Sequence, residues 1–138
     1  MIVRAVLSLG RRLRAERPQG SAPLSAIAIL SALNRLGPAP AARLAAEERL
    51  QPQSLTRIIL ALERQGWIAR ARSGADRREI TIALTKRGAG LLADDMRARR
   101  LWLERAMAAV LDDRERAALL TASDAMIKLA RHRDPGPS

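Results

Sequence analysis

The chain has no cysteine, tyrosine or phenylalanine, a single histidine, and only two tryptophans, Trp67 and Trp102, in 138 residues. Without cysteine there are no disulfides, no thiol-based redox sensing and no thiolate metal sites. The histidine, His132, lies in a Pro- and Gly-containing C-terminal stretch. No glycine-rich phosphate loop or HExxH-type spacing is present. Asp94 and Asp95 are adjacent, so on a helix they diverge instead of converging as an acid–base pair, and Arg99 and Arg100 beside them are expected on a solvated face. An enzyme is therefore not expected. A metal site needs several ligands that this sequence does not group, and no cofactor is implied. The scarcity of aromatics disfavours stacking platforms for single-stranded nucleic acid. No apolar run approaches the length of a membrane span and no signal-peptide pattern precedes a cleavage site, which points to the cytoplasm with no membrane partner.

What is abundant is positive charge. There are 25 Lys and Arg against 14 Asp and Glu, a formal net charge of +11, nearly all of the cations being arginine. A coding bias towards Ala and Arg would produce such a composition without function. The distribution argues for more than bias: from Arg49 to Arg87 there are nine basic residues and three acidic ones. Such a segment is drawn to polyanions, nucleic acid foremost.

The same segment holds the most informative pattern. Between Pro52 and Arg64, Leu55, Ile58, Ile59 and Leu62 recur on one side of a 3.6-residue period. Gln53, Arg57, Leu60 and Arg64 fall on the opposite side, with Ser54 and Thr56 on its shoulders. Pro52 suits a first helical turn, and Gly66 a left-handed closure that brings Trp67 against Leu62. An amphipathic helix of this kind docks on a core and presents an amide, hydroxyls and guanidinium groups outward, the groups that read base edges and phosphates. Upstream, a helix at about 41–48 packs Leu44 and ends in a turn where Leu50 points inward. Downstream, strands at about 67–72 and 79–84 flank a basic hairpin tip from Ser73 to Arg78, a shape suited to a minor groove or a phosphate.

The remaining segments read as helices. Residues 1–17 place Ile2, Val3, Val6, Leu7, Leu9 and Leu13 on one broad sector. A helix from Ser25 to about Arg35 has Ser25 as its expected N-cap and Leu24 stapled to Ile29, and it ends at Gly37 and Pro38. Thr85 caps a long helix reaching about Leu111, whose Gly88 and Gly90 fit close packing on the hairpin. Asp112 and Glu115 are spaced as a capping box for a last helix to Arg131, aligning Leu119, Ser123, Met126, Ile127 and Ala130. These outer helices carry more apolar surface than a reader of about 60 residues can bury, so Ile2, Val3, Val6, Leu7, Leu119, Met126 and Ile127 are expected to meet a second copy of the chain. The organisation follows: 1–24 a dimerisation helix and loop, 25–85 a DNA-binding domain, 86–131 dimerisation helices, 132–138 a frayed tail.

In this order and spacing, the residues resemble the MarR family of winged helix-turn-helix transcriptional regulators over nearly the whole chain. The matching pieces are Gly37-Pro38, Leu44-Ala45, Pro52 with Ser54-Leu55-Thr56-Arg57, Leu62-Glu63, Gly66-Trp67-Ile68, Asp76-Arg77-Arg78, Leu84-Thr85, Gly88 and Leu91-Leu92. The resemblance implies a mainly α fold with a small β-hairpin wing and a helical dimerisation layer. It implies a homodimer, each subunit reading half of a near-palindromic operator in double-stranded DNA, as a repressor in most members. Gln53, Ser54, Thr56, Arg57, Arg64, Arg72, Arg77 and Arg78 form the expected DNA-contacting set, with Arg78 entering the minor groove and Asp76 positioning it. Many members release DNA when a small aromatic or phenolic compound enters a cleft, which makes such an effector an expected partner. This chain departs from the family pattern at Pro40 and Arg43, where a capping Thr and Glu are usual, and at Gln53, where a second proline is common. It also starts close to its first helix, with little of the lead many members have. The competing reading is a winged-helix architectural or protein–protein module that keeps the fold without sequence-specific readout.

Overall fold

In the computed structural model, residues 1–72 and 79–136 are described. The elements in chain order are α1 (Ile2–Ala15), α2 (Leu24–Leu36), β1 (Ala39–Pro40), α3 (Ala41–Glu48), α4 (Pro52–Arg64), β2 (Ile68–Arg72), β3 (Ile80–Leu84), α5 (Lys86–Val110) and α6 (Asp113–Arg131). They group into two compact units, Met1–Arg99 and Arg100–Ser138.

The core of the first unit is built by the apolar periodicities of α2, α3 and α4. Ile29, Leu30, Leu33, Leu44, Leu55 and Leu62 are fully enclosed, and Ile59, Ile68 and Ile82 join them. α3 packs on both α2 and α4, and α2 also meets β3. The sheet has the order β1-β3-β2 and is antiparallel throughout, with Ala39 opposite Ile82 and Ile68 opposite Leu84. Two strands were expected from the sequence; the third is the short β1. Pro38-Ala39-Pro40 is held extended by its prolines, and Pro40, which has no N–H to give, is tolerable on an edge strand.

Several expected helix ends are realised by local chemistry. Gly66, at φ +74°, follows α4 as a left-handed residue. Its N–H donates to Glu63 O at 2.9 Å and that of Trp67 to Leu62 O at 3.1 Å, the paired bonds of a Schellman closure. Thr85 Oγ1 accepts from the Gly88 N–H at 3.0 Å, capping α5. In the second unit, Asp112 accepts from Glu115 N at 2.7 Å while Glu115 accepts from Asp112 N at 2.9 Å, a complete capping box.

Four expectations are corrected. α2 begins at Leu24 with Pro23 as its N-cap, so Ser25 lies inside the first turn and makes no cap bond. Leu24 is exposed and cannot staple to the buried Ile29, because an extended Pro23 starts the helix two residues early and turns Leu24 outward. Gly90 has open space where a Cβ would go, whereas at Gly88 a Cβ would lie 2.1 Å from Trp67 O. Only Gly88 makes the close approach to the sheet.

The fourth correction concerns charge. Arg99, expected on a solvated face, has a side chain only 16% exposed, because it turns to Asp95, which is buried at 6% exposure. Asp95 Oδ1 accepts from Arg17 Nε at 2.9 Å and Nη2 at 2.7 Å, and its Oδ2 accepts from Arg99 Nη2. Arg17 Nη2 also donates to Ala22 O at 2.5 Å. Both guanidinium groups are largely covered, and Arg99 Nε has no hydrogen-bond partner among the described residues. Two cations thus share one carboxylate inside the first unit, pinning the α1–α2 connector to α5.

The outer surfaces remain apolar. α1 has no buried residue, and Ile2, Val3, Val6 and Leu7 are exposed. In the second unit none of the described residues is buried, and Leu119, Met126 and Ile127 are exposed. Among the described residues no helix is long and apolar enough to cross a membrane.

Candidate nucleic-acid interface

The turn before α4 is tight and slightly strained. Arg49 adopts a left-handed conformation, φ 53° and ψ 42°, so that Leu50 N–H can donate to Ala45 O at 2.9 Å. Leu50 then packs half-buried against the core, as its position implied. Pro52 opens α4, and Gln51 makes no side-chain cap to its first amides.

Leu55, Ile59 and Leu62 anchor α4 with 2% of their surface exposed each, and Ile58 is partly buried beside them. The opposite side is open. Gln53, Thr56, Arg57, Leu60, Ala61 and Arg64 are exposed and Ser54 is half-buried. Arg57 and Arg64 make no ion pair among the described residues, so the guanidinium groups remain available to a ligand. Thr56 differs from the simple reading of its hydroxyl. Its Oγ1 donates to Pro52 O at 2.9 Å, which engages its proton within the helix and leaves an acceptor lone pair and a methyl group outward.

The sheet is tied to α4 at three points. Arg70 Nε donates to Glu63 Oε1 at 2.5 Å, linking β2 to the last turn of α4. Thr85 Oγ1 donates to Gly66 O at 2.7 Å, and Thr85 N–H to Trp67 O at 3.1 Å. Gly88 sits against the Trp67 carbonyl with no room for a side chain. The hairpin base is therefore held against the C-terminal end of α4. Arg72 ends β2 and is exposed. Asp76, Arg77 and Arg78, expected at the tip, lie outside the described residues.

The structure thus places Gln53, Thr56, Arg57 and Arg64 on one face of α4, with Ser54 at its margin and Arg72 at the end of the adjoining strand. Sequence reasoning named Glu63 only as part of the family pattern and did not single out Arg70 or the second role of Thr85, whose hydrogen bonds tie the hairpin base to the end of α4. The Glu63–Arg70 pair joins residues seven apart across a turn, a spacing with no periodic signature.

Residues 23–80 match the MarR family model. An HTH-type transcriptional regulator of Mycobacterium bovis is 35% identical over 125 residues, covering 91% of this chain and 87% of the relative. A crystal structure of a Pseudomonas aeruginosa protein, described as a transcriptional regulator, superimposes with a TM-score of 0.80 at 33% identity, over 96% of this chain and 92% of that one. BpsR of Bordetella bronchiseptica, whose DNA binding is regulated by 6-hydroxynicotinic acid, shares the fold at 18% identity and a TM-score of 0.61, over 91% of this chain and 98% of its own. With a third of its residues shared along nine-tenths of its length, the chain belongs to the MarR family of winged helix-turn-helix transcriptional regulators, which bind DNA and are not enzymes.

Proposed function

We propose that the protein represses transcription in the cytoplasm as a homodimer, each subunit laying α4 in the major groove of one half of a near-palindromic operator. The observation that carries this reading is the outward face of α4, where Gln53, Arg57 and Arg64 are exposed and, among the described residues, unengaged beside Ser54 and Thr56. Guanidinium and amide groups together supply both phosphate contacts and base discrimination, which charge alone does not. The hairpin follows as a wing, with Arg72 and Arg77 on the backbone and Arg78 in the minor groove, positioned by Asp76. Dimerisation is supported by the exposed apolar faces of α1 and α6, through Ile2, Val3, Val6, Leu7, Leu119, Met126 and Ile127. A small aromatic or phenolic acid relieves repression; the 6-hydroxynicotinic acid control of BpsR supports that class of ligand.

Selection of duplexes from a random pool tests the reading. A two-fold symmetric consensus, held against excess unrelated duplex, is the expected result; equal retention of every duplex with one salt slope refutes sequence-specific readout. Sedimentation at micromolar concentration should give a dimer, and Val6→Asp should weaken dimer and DNA binding together, since an unpaired buried charge is costly. A monomer in the wild type refutes the dimer. Calorimetry against phenolic acids that produced neither heat nor loss of DNA affinity would remove the effector.

A further inference from the structure

The outward face of α4 contains one residue that neither the core nor phosphate binding accounts for. Leu60 is 42% exposed, three residues after Arg57 and four before Arg64. The core side of the helix is already filled by Leu55, Ile59 and Leu62. Thr56 stands one turn before Leu60 on the same flank, as the i, i+4 spacing requires. With its hydroxyl proton given to Pro52 O, Thr56 adds a methyl group to that flank. An open groove of about 420 Å³ runs along this face, lined by Arg57, Ile58, Leu60, Ala61 and Arg64.

We propose that Leu60, with the methyl group of Thr56, reads the 5-methyl group of thymine in the major groove. The inference rests on the reading that α4 enters that groove. An apolar protein surface would also accept a leucine, but exposed cations on both sides of Leu60 favour a polyanion over an apolar partner. Among the groups that the four bases offer in the major groove, the thymine methyl is the one that is apolar. A leucine set there gains by burying it, whereas the amino group of cytosine or adenine placed against Leu60 loses its water without a partner. Arg57 and Arg64 position the helix, Gln53 and Ser54 supply polar readout, and Leu60 selects thymine.

The experiment uses the full-length protein and the duplexes it selects from a random pool. Each thymine is replaced in turn, in both half-sites, by deoxyuridine, which pairs identically and lacks the methyl group. At one position the replacement should weaken wild-type binding roughly fourfold per half-site, the scale of one methyl group leaving an apolar contact. Leu60→Ala should lose most of the difference between thymine and deoxyuridine duplexes, keeping only the share of the Thr56 methyl group, with the wild-type salt dependence; Leu60→Met, which keeps apolar reach, should retain most of the difference. Indifference of the wild type to deoxyuridine at every position overturns the proposal, as does a penalty that is undiminished in Leu60→Ala. A selection yielding no preferred duplex removes the underlying reading along with it, whereas a preferred duplex insensitive to deoxyuridine removes this proposal alone.

Discussion

Asp95→Ala should be among the most destabilising single substitutions in the chain. The carboxylate takes three hydrogen bonds, two from Arg17 and one from Arg99. Its side chain is 3% exposed, and those of Arg17 and Arg99 only 13% and 16%. Removing one member of a buried ion pair typically costs about 3–5 kcal/mol, because the partner's charge stays desolvated. Here two cations lose the same partner and are left facing each other, while Arg99 Nε already has none among the described residues. Their residual exposure allows some relaxation to water, so the expected loss stays within that range. With a urea m-value of about 1–3 kcal/mol/M, the unfolding midpoint should fall by about 1–5 M. Protein concentration must be held constant, since dimerisation would contribute to apparent stability. Asp95→Asn keeps the shape and one acceptor, and should lose less. Replacing all three residues together by apolar ones, Arg17→Met with Asp95→Leu and Arg99→Met, should recover most of the loss, because a buried ion cluster is often no more stable than a packed apolar one. An Asp95→Ala midpoint within about 0.3 M of wild type would refute the argument, and would mean that water already compensates these charges.

Three shorter predictions follow from backbone geometry and charge. Gly88→Ala places a Cβ 2.1 Å from the Trp67 carbonyl oxygen and 2.9 Å from Leu84 Cδ1; since the first obstacle is backbone, thermal unfolding should show a loss of at least about 1–3 kcal/mol, the range for overpacking. Arg49→Gly relieves a left-handed residue at φ 53°, and should stabilise by up to about 1 kcal/mol in the same assay, the left-handed penalty less the added unfolded-state freedom of glycine. That substitution also removes a cation, so its DNA affinity should be compared at matched salt. Arg78→Ala should leave unfolding unchanged, weaken operator binding by about 1–3 kcal/mol per half-site and flatten the salt dependence in anisotropy titrations.

The sequence by itself determined the features whose causes lie within a few residues. The two-sidedness of α4, the Schellman closure at Gly66, the Thr85 cap and the Asp112–Glu115 capping box are each set by side chains no more than about one turn apart. Periodicity and cap chemistry therefore exposed them. The outward position of Leu60 was equally legible, although what an exposed leucine is for was not. Tertiary structure decided the rest. Asp95 and Arg99 have the spacing of a solvated helix pair, and only the arrival of Arg17, 78 residues away in sequence, makes them a buried cluster. β1 is two residues long, too short to carry an alternation, and exists because Ala39 and Pro40 come to lie beside Ile82 and Thr81. The contacts of the hairpin base likewise bring together Glu63 with Arg70 and Gly88 with Trp67, pairs that no local pattern announces. Local patterns specify which surface a residue turns to, but the low-dielectric partner that makes a charge buried, or a strand paired, is supplied by segments distant in the chain.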